Sequence, residues 1–200
     1  MNSNTVITIS REFGSGGHLV GEKLAKELGI PFYDNELILL AVNESGLGQE
    51  LFENMEEKPT TSFLYSLSMM SSTAGTYSMP LNDKVFLVQS DTIRKVAEKG
   101  PCVIVGRCAD YVLENRSNVV NVFIHSPFEK RVERIMQERN LPREKAESTV
   151  SKSSKKRATY YNYYTGKKWG DVNNYHLAID DSEVGIDGAV KLILEYLNHL

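Results

Sequence analysis

The chain has 200 residues, and 41% of them are hydrophobic, which is enough for the core of one domain. Its net charge of −3 gives no overall basic field, so we expect no nucleic-acid or membrane partner, and an anionic ligand must be held by local clusters of donors. The start of the chain lacks a basic-then-apolar signal sequence, and no apolar run approaches the roughly 18 residues of a membrane span. We therefore expect a cytoplasmic protein in which Cys102 and Cys108 are reduced thiols.

The first predicted element is a strand that leads into a glycine-rich turn. Residues 5–9 (TVITI) form a short β-branched run, which is typical of a strand buried on both faces. A Gly-Ser-Gly-Gly turn at 14–17 follows, and the apolar spacing over 19–28 then predicts a helix that a glycine and a proline end. Strand, glycine turn and helix in this order are typical of the first unit of a nucleotide-binding α/β sheet.

The rest of the chain alternates between short apolar runs and helical patterns. Further buried strands are predicted at 102–105, 119–124 and 177–179, with a short one at 31–33. Helical patterns occupy residues 84–99, 107–115, 127–139, 143–163 and 186–198. This alternation predicts an α/β fold with a parallel sheet covered by helices on both faces.

One segment, residues 58–82, breaks this rhythm. It is rich in Ser, Thr and Met and has no acidic residue after Lys58. It is either a loop without regular structure or a segment whose Met and Tyr side chains close over a planar ligand. The sequence does not decide between the two.

The turn after the first strand is a candidate phosphate site. Main-chain N–H groups at the start of a helix attract anions, and glycine leaves room for phosphate oxygens and permits a positive φ. The candidate phosphate-binding residues here are Gly14, Ser15, Gly16, Gly17 and His18. The turn departs from the G-x-x-x-x-G-K-[ST] motif, because glycine rather than lysine follows the second conserved glycine. A tight turn without a ligand is the alternative.

Four stretches of the chain resemble the cytidylate kinase-like family, and together they cover about half of it in the expected order. They are ISREFGSGGHLVGEKLAKELGIPFYDNELI, VIVGRCADYVL, VFIHSPFEKRVERIMQERNL and KKRATYYNYYTGKKWGDVNNYHLAID. The resemblance implies a three-layer P-loop kinase-like fold with a five-stranded parallel sheet. It further implies ATP as the phosphoryl donor, Mg²⁺, and a nucleoside monophosphate or similar acceptor.

The resemblance also implies a domain organisation. Residues 1–200 are expected to form a single P-loop kinase-like domain, with an acceptor-binding insertion at 35–90 and a helical lid at 140–172. Gly17 occupies the position of the usual lysine, whose charge contributes to transition-state stabilisation in phosphoryl transfer. The candidates for replacing that charge are Arg11, Lys155, Lys156 and Arg157.

Arg107 is the candidate for holding the acceptor phosphate. It follows Gly106 directly after a buried strand, and ligands of open parallel sheets bind at the carboxyl ends of the strands. A guanidinium binds phosphate oxygens with two parallel hydrogen bonds. The resemblance assigns this Gly-Arg pair the same role, and the alternative is a surface arginine that caps the strand.

Asp34 is a second candidate for the acceptor side. It follows the short strand at 31–33, and its carboxylate is suited to orienting the acceptor or a magnesium-bound water. It is equally suited to capping a helix that begins after it, and the two roles are compatible.

The most basic and aromatic segment runs from Lys152 to Lys168. The resemblance identifies it with the mobile lid of nucleotide kinases, whose arginines stabilise the transferring phosphoryl group. Arg157 matches the lid arginine best, Arg131 and Arg134 come second, and Lys156 adjoins Arg157. A solvated basic face is the alternative, and a surface for single-stranded nucleic acid fits the acidic chain less well.

These features predict a phosphotransferase that uses ATP to phosphorylate a nucleoside monophosphate. The missing lysine leaves open a nucleotide- or anion-binding regulatory domain without kinase activity. The sequence of residues 35–90 does not identify the acceptor, which leaves open a kinase of another small molecule.

Overall fold

A computed structural model of the chain describes residues 5–34 and 80–200. A single sheet lies at its centre, and all neighbouring strands pair in parallel. The strands are β1 (Val6–Arg11), β2 (Phe32–Tyr33), β3 (Cys102–Val105), β4 (Val119–His125) and β5 (Leu177–Asp180). Their order across the sheet is β2-β3-β1-β4-β5. The predicted α/β fold with a five-stranded parallel sheet is therefore confirmed.

The helices between the strands cover both faces of the sheet. They are α1 (Gly17–Leu28), α2 (Leu81–Glu98), α3 (Ala109–Val112), α4 (Phe128–Arg139), α5 (Arg143–Thr165) and α6 (Asp181–Asn198), with a 3₁₀ turn at Val172–Asn174. Most of the predicted segment 58–82, and residues 35–79 of the predicted insertion, lie outside the described residues. Within residues 5–34 and 80–200, no helix combines the length and apolar character needed to cross a membrane.

The helices predicted over 107–115 and 186–198 start at other residues than predicted, for local reasons. The helix predicted over 107–115 begins only at Ala109, because Arg107 and Cys108 both have a φ of 56°. The last helix begins at Asp181 instead of residue 186. The side chain of Asp180 caps that first turn by accepting from the Ser182 N–H (2.9 Å), and Gly185, with a φ of 68°, interrupts the helix after it.

The core has one layer on each face of the sheet. On one face Ile7, Ile9 and Ile124 pack with buried side chains of α1 and α6. On the other face, Val6 and Ile104 pack with residues of α2 and α3. Burial on both faces explains why the strands read as continuous apolar runs. Cys102 is buried in this second layer and Cys108 is buried in the turn after β3, and both are free thiols.

The topology brings two strand ends together at one edge. β1 lies between β3 and β4, and the parallel register aligns Ile9 of β1 with Val105 of β3. The residues that follow these two in β1 and after β3 are therefore neighbours. They lead to Arg11 at the end of β1, and to Gly106 and Arg107 after β3. In open parallel sheets this is the edge where ligands bind.

Candidate active site

A cavity of about 360 Å³ opens at this edge of the sheet. Its walls come from the end of β1, the turn after β3, the middle of α5 and Trp169. Four of the predicted site residues line it together: Arg11, Arg107, Lys156 and Arg157. The fold thus gathers positive side chains from three separate parts of the chain around one space.

Arg11 crosses two glycines on its way into this cavity. A Cβ atom built on Gly17 would overlap the Cβ of Arg11, and one built on Gly106 would overlap its Nη1. The side chain therefore runs from the end of β1 over the first residue of α1 to the turn after β3. Both glycines provide the space in which it lies.

The charges in the cavity are poorly compensated. Burial, and then the positive charges of Arg157 and Arg107, lower the pKa of Arg11 to about 9, while the nearby Asp34 carboxylate opposes this with a smaller effect. Burial and the charge of Arg107 lower the pKa of Arg157 to about 10. The guanidiniums remain protonated near neutral pH, so they repel one another and favour a bound anion.

Aromatic rings hold two of these guanidiniums in place. Arg157 lies over the Phe13 ring (5.3 Å to its centre), and its Nη1 donates to the main-chain oxygen of Arg11 (2.9 Å). Arg107 lies over the Tyr160 ring at 5.9 Å. Cation–π contacts of this kind position a guanidinium without neutralising its charge.

The glycine turn adjoins the cavity, although it does not line it. Gly14 and Gly16 have φ values of 84° and 24°, which favour glycine. The first turn of α1 has neither a side-chain cap nor an acidic residue, so its N–H groups present a partial positive charge. Because Arg11 packs against Gly17, this end of α1 lies beside the arginines.

Ser15 is turned inward. Its side chain is buried, and its hydroxyl donates to the main-chain oxygen of Ile124 (2.9 Å), with the Glu12 oxygen also within reach (3.1 Å). This hydroxyl ties the turn to β4. The remaining loop candidate, His18, has its Nδ1 3.8 Å from Oδ2 of Asp34 and its ring edge-to-face with Phe32. Asp34 is therefore near both the start of α1 and Arg11.

Arg131 lies outside the cavity lining. Its Nε donates to the Ser126 oxygen (2.9 Å) and lies 3.2 Å from a carboxylate oxygen of Glu12, while its Nη1 donates to the hydroxyl of Ser154 (3.1 Å). These bonds join the glycine turn, α4 and α5. The contacts identify a structural clamp, and direct contact of Arg131 with a phosphoryl group stays a prediction.

Two further polar clusters around the site were not predicted. Arg134 donates to the Gly14 oxygen (3.0 Å) and to Oδ2 of the buried Asp181 (2.8 Å), which braces the turn against α6. Tyr161 donates to the buried carboxylate of Asp110 (2.6 Å) beneath the cavity. The partners lie 47 and 51 residues apart, so no local motif in the sequence reveals either pair.

Comparison with known proteins identifies the family. A model of the cytidylate kinase-like family matches residues 6–183. The chain belongs to the cytidylate kinase-like family. The match extends from the first residue of β1 into α6 and includes every cavity residue, so it confirms the family that the sequence motifs indicated.

Individual relatives agree with the cytidylate kinase-like assignment. Cytidylate kinase from Aeropyrum pernix is 26% identical over 190 residues, covering 94% of this chain and 95% of that protein. The crystal structure of an uncharacterized protein from Eubacterium ventriosum superposes with a TM-score of 0.73 at 30% identity, covering 97% of this chain and 98% of that one. Shikimate kinase from Bacteroides thetaiotaomicron, at 16% identity, shares the fold with a TM-score of 0.53 and covers 97% and 98% of the two chains. Family and fold are those of kinases of nucleotides and other small molecules.

Proposed function

We propose that this protein transfers a phosphoryl group from ATP to a nucleoside monophosphate. The observation that carries the proposal is the cavity in which Arg11, Arg107 and Arg157 meet at the carboxyl ends of β1 and β3. Three guanidiniums around one cavity are suited to the several negative charges of two phosphorylated reactants. The family of this chain and the name of its Aeropyrum pernix relative support a nucleotide acceptor.

Arg107 is proposed to hold the acceptor phosphate. It directly follows β3, and its guanidinium lies over the ring of Tyr160, which leaves its edge for a phosphate. Asp34, next to Arg11, is proposed to orient the acceptor from the other side.

The donor phosphates are proposed to bind at the uncapped start of α1, over the turn from Gly14 to His18. ATP bound with Mg²⁺ would supply the phosphoryl group at this position. Among residues 5–34 and 80–200 there is no cluster of three or more His, Cys, Asp or Glu that would hold a metal by itself. Mg²⁺ at kinase sites is bound mainly by the substrate phosphates and keeps several of its waters.

Arg157 and Lys156 are proposed to neutralise charge as the phosphoryl group passes between the reactants. They lie on α5, within the proposed lid at 140–172, and both line the cavity. Such a reaction depends on positioning and electrostatics and needs no covalent catalytic residue. A regulatory domain without activity is not favoured, since the missing lysine motivated it and Arg11, whose side chain starts against Gly17, brings a cation into the cavity. A cytoplasmic location, where ATP and nucleotides are available, stays part of the proposal.

The test is a steady-state assay of ADP formation with ATP, Mg²⁺ and a panel of nucleoside monophosphates that begins with CMP. The wild-type protein is expected to turn over at least one of them. Arg107→Gln keeps much of the side-chain volume but removes the charge, so we expect it to raise KM for the acceptor strongly and to leave KM for ATP nearly unchanged.

Arg94→Gln is the matched control, because this exposed arginine lies on α2, away from the cavity lining. It should behave like the wild type. Absence of turnover with every acceptor, or an Arg107→Gln variant with an unchanged acceptor KM, would contradict the proposal.

A further inference from the structure

Residues 11–18 differ from the common phosphate-binding motif at two linked positions: a cationic residue stands where the motif has its first glycine, and a glycine stands where the motif has its lysine. When G-x-x-x-x-G-K-[ST] is laid over REFGSGGH, its second glycine falls on Gly16. The position of its first glycine is Arg11, and the position of its lysine is Gly17. We infer that Arg11 supplies from the end of β1 the cation that a lysine at position 17 supplies elsewhere, and that it binds the β- and γ-phosphate oxygens of the donor triphosphate. This inference rests on the proposed function, since it assigns the donor side of the same site.

The steric relation between the two residues supports the exchange. A Cβ on Gly17 would clash with the Arg11 Cβ and lie 3.0 Å from its Cγ. The chain therefore accommodates one of these side chains at this place and not both. An arginine at position 11 requires glycine at position 17, just as a lysine at position 17 requires a small residue at position 11.

The backbone gives no other reason for glycine at position 17. Gly17 is the first residue of α1 and is absent from the residues with positive φ, in contrast to its neighbours Gly14 and Gly16. A glycine in a helix loses more backbone entropy on folding than another residue would, so it is unfavourable there without a specific reason. The space taken by Arg11 explains its presence.

The far end of the Arg11 side chain lies at the right place for the role. Its Nη1 reaches the turn at Gly106, beside the proposed acceptor-binding Arg107, while its base lies against the start of α1. The side chain thus runs from the proposed donor position to the turn after β3, and its guanidinium lies at that turn, next to the acceptor side. A cation at this place would meet the γ-phosphate as it approaches the acceptor, where phosphoryl transfer needs positive charge. Burial and the charges of Arg157 and Arg107 lower the pKa of Arg11 to about 9, so a bound anion would favour its charged form.

The experiment swaps the two residues. Affinity for tripolyphosphate, a donor mimic that lacks a base, is measured by calorimetry for the wild type, Arg11→Gln, and the double variant Arg11→Gly with Gly17→Lys. Phosphoryl transfer from ATP is measured in parallel, and circular dichroism monitors folding. Arg139→Gln is the matched control, because Arg139 also lies over the Phe13 ring (5.1 Å) but does not line the cavity.

We expect Arg11→Gln to weaken tripolyphosphate binding about 10- to 100-fold, the loss typical of one charge-assisted contact. The double variant should regain most of that affinity, and Gly17→Lys alone should melt at a lower temperature than the wild type. The inference is overturned if the wild type fails to bind tripolyphosphate, if Arg11→Gln binds as tightly as Arg139→Gln, or if a folded double variant stays as weak as Arg11→Gln. Should the double variant not fold, the comparison of Arg11→Gln with Arg139→Gln decides.

The two proposals fail differently. If the wild type transfers no phosphoryl group but the binding series follows the expected order, the proposed function is wrong and the role of Arg11 in binding a polyphosphate stands. If transfer is normal in Arg11→Gln, the role of Arg11 is wrong and the proposed function stands.

Discussion

Arginines with different surroundings have different tasks around this site. Arg11, Arg107 and Arg157 line a cavity in which positive charge exceeds negative charge, whereas Arg131 is bonded to Glu12 and to main-chain oxygens. The first group gains from an anion, because an anion offsets both burial and mutual repulsion. Arg131 gains less from an anion, because Glu12 and the main-chain oxygens already accept its hydrogen bonds.

The first prediction concerns pH. A polyphosphate binds Arg11 in its charged form, and the pKa of this group in the free protein is lowered to about 9. Affinity for tripolyphosphate should therefore be full below about pH 8 and should fall as the pH rises through 9 and 10, where Arg157 also begins to lose its proton. Thermal melting with and without tripolyphosphate, at constant ionic strength, measures this as a shrinking increase in Tm. An increase of the same size at pH 7.5 and pH 10 would contradict it.

The second prediction separates a structural arginine from a catalytic one. Arg131→Ala removes the cation paired with the Glu12 carboxylate and the donor to the Ser126 oxygen in a nearly buried place, so we expect a loss of about 3 to 5 kcal/mol in the free energy of unfolding. Arg143→Ala removes an exposed arginine paired with Glu129 and Glu147, and should have little measurable effect. Urea denaturation measures the free energy of unfolding of both variants against the wild type.

Activity measurements complete this second test. Arg131→Lys retains the charge but cannot make the same set of bonds, so it should lose stability and keep turnover in the folded fraction. A variant that is fully stable but loses turnover would instead support the catalytic role that the sequence predicted for Arg131.

At the scale of elements, the packing of α3 against α5 forms the floor of the cavity. Tyr161 of α5 donates to the carboxylate of Asp110 in α3, and both side chains are buried. Burial raises the pKa of Asp110, and the Tyr161 hydrogen bond lowers it in part. The ionised carboxylate therefore depends on this hydroxyl.

The third prediction follows from that dependence. Tyr161→Phe should reduce the free energy of unfolding by about 1 to 3 kcal/mol at neutral pH, because the Asp110 carboxylate loses its donor. The loss should be smaller at acidic pH, because burial raises the pKa of Asp110 and a protonated carboxyl has no charge to stabilise. Tyr163→Phe, at a position 72% exposed, is the control and should be neutral. An equal loss at both pH values would contradict this account.

Elements were predicted well where one local pattern determines them. The four longer strands lie within one or two residues of their apolar runs, since burial on both faces leaves a continuous signal. The first residues of α3 and α6 were misplaced. The start of α3 depends on the left-handed backbone at Arg107 and Cys108, and the start of α6 depends on a cap at Asp180. Neither is visible in hydrophobic periodicity.

For the whole molecule, parallel pairing made part of the site predictable. Arg11 and Arg107 each follow a buried strand, and the carboxyl ends of neighbouring parallel strands share one edge, so their meeting could be anticipated. The path of Arg11 over Gly17 could not, because it depends on the contact of side chain and backbone between elements. The clamp formed by Arg131 was equally hidden, because it includes contacts such as the one to the main-chain oxygen of Phe13, 118 positions away along the chain.

The account as a whole rests on a cavity that receives two phosphorylated reactants and moves one phosphoryl group between them. The most direct measurement incubates the wild-type protein with ATP labelled at the γ-phosphate, Mg²⁺ and CMP or another nucleoside monophosphate, and separates the products. We predict that label appears in a nucleoside diphosphate and that Arg157→Gln greatly slows its appearance. Label that stays in ATP, or that is released only as inorganic phosphate with every acceptor, would contradict the account.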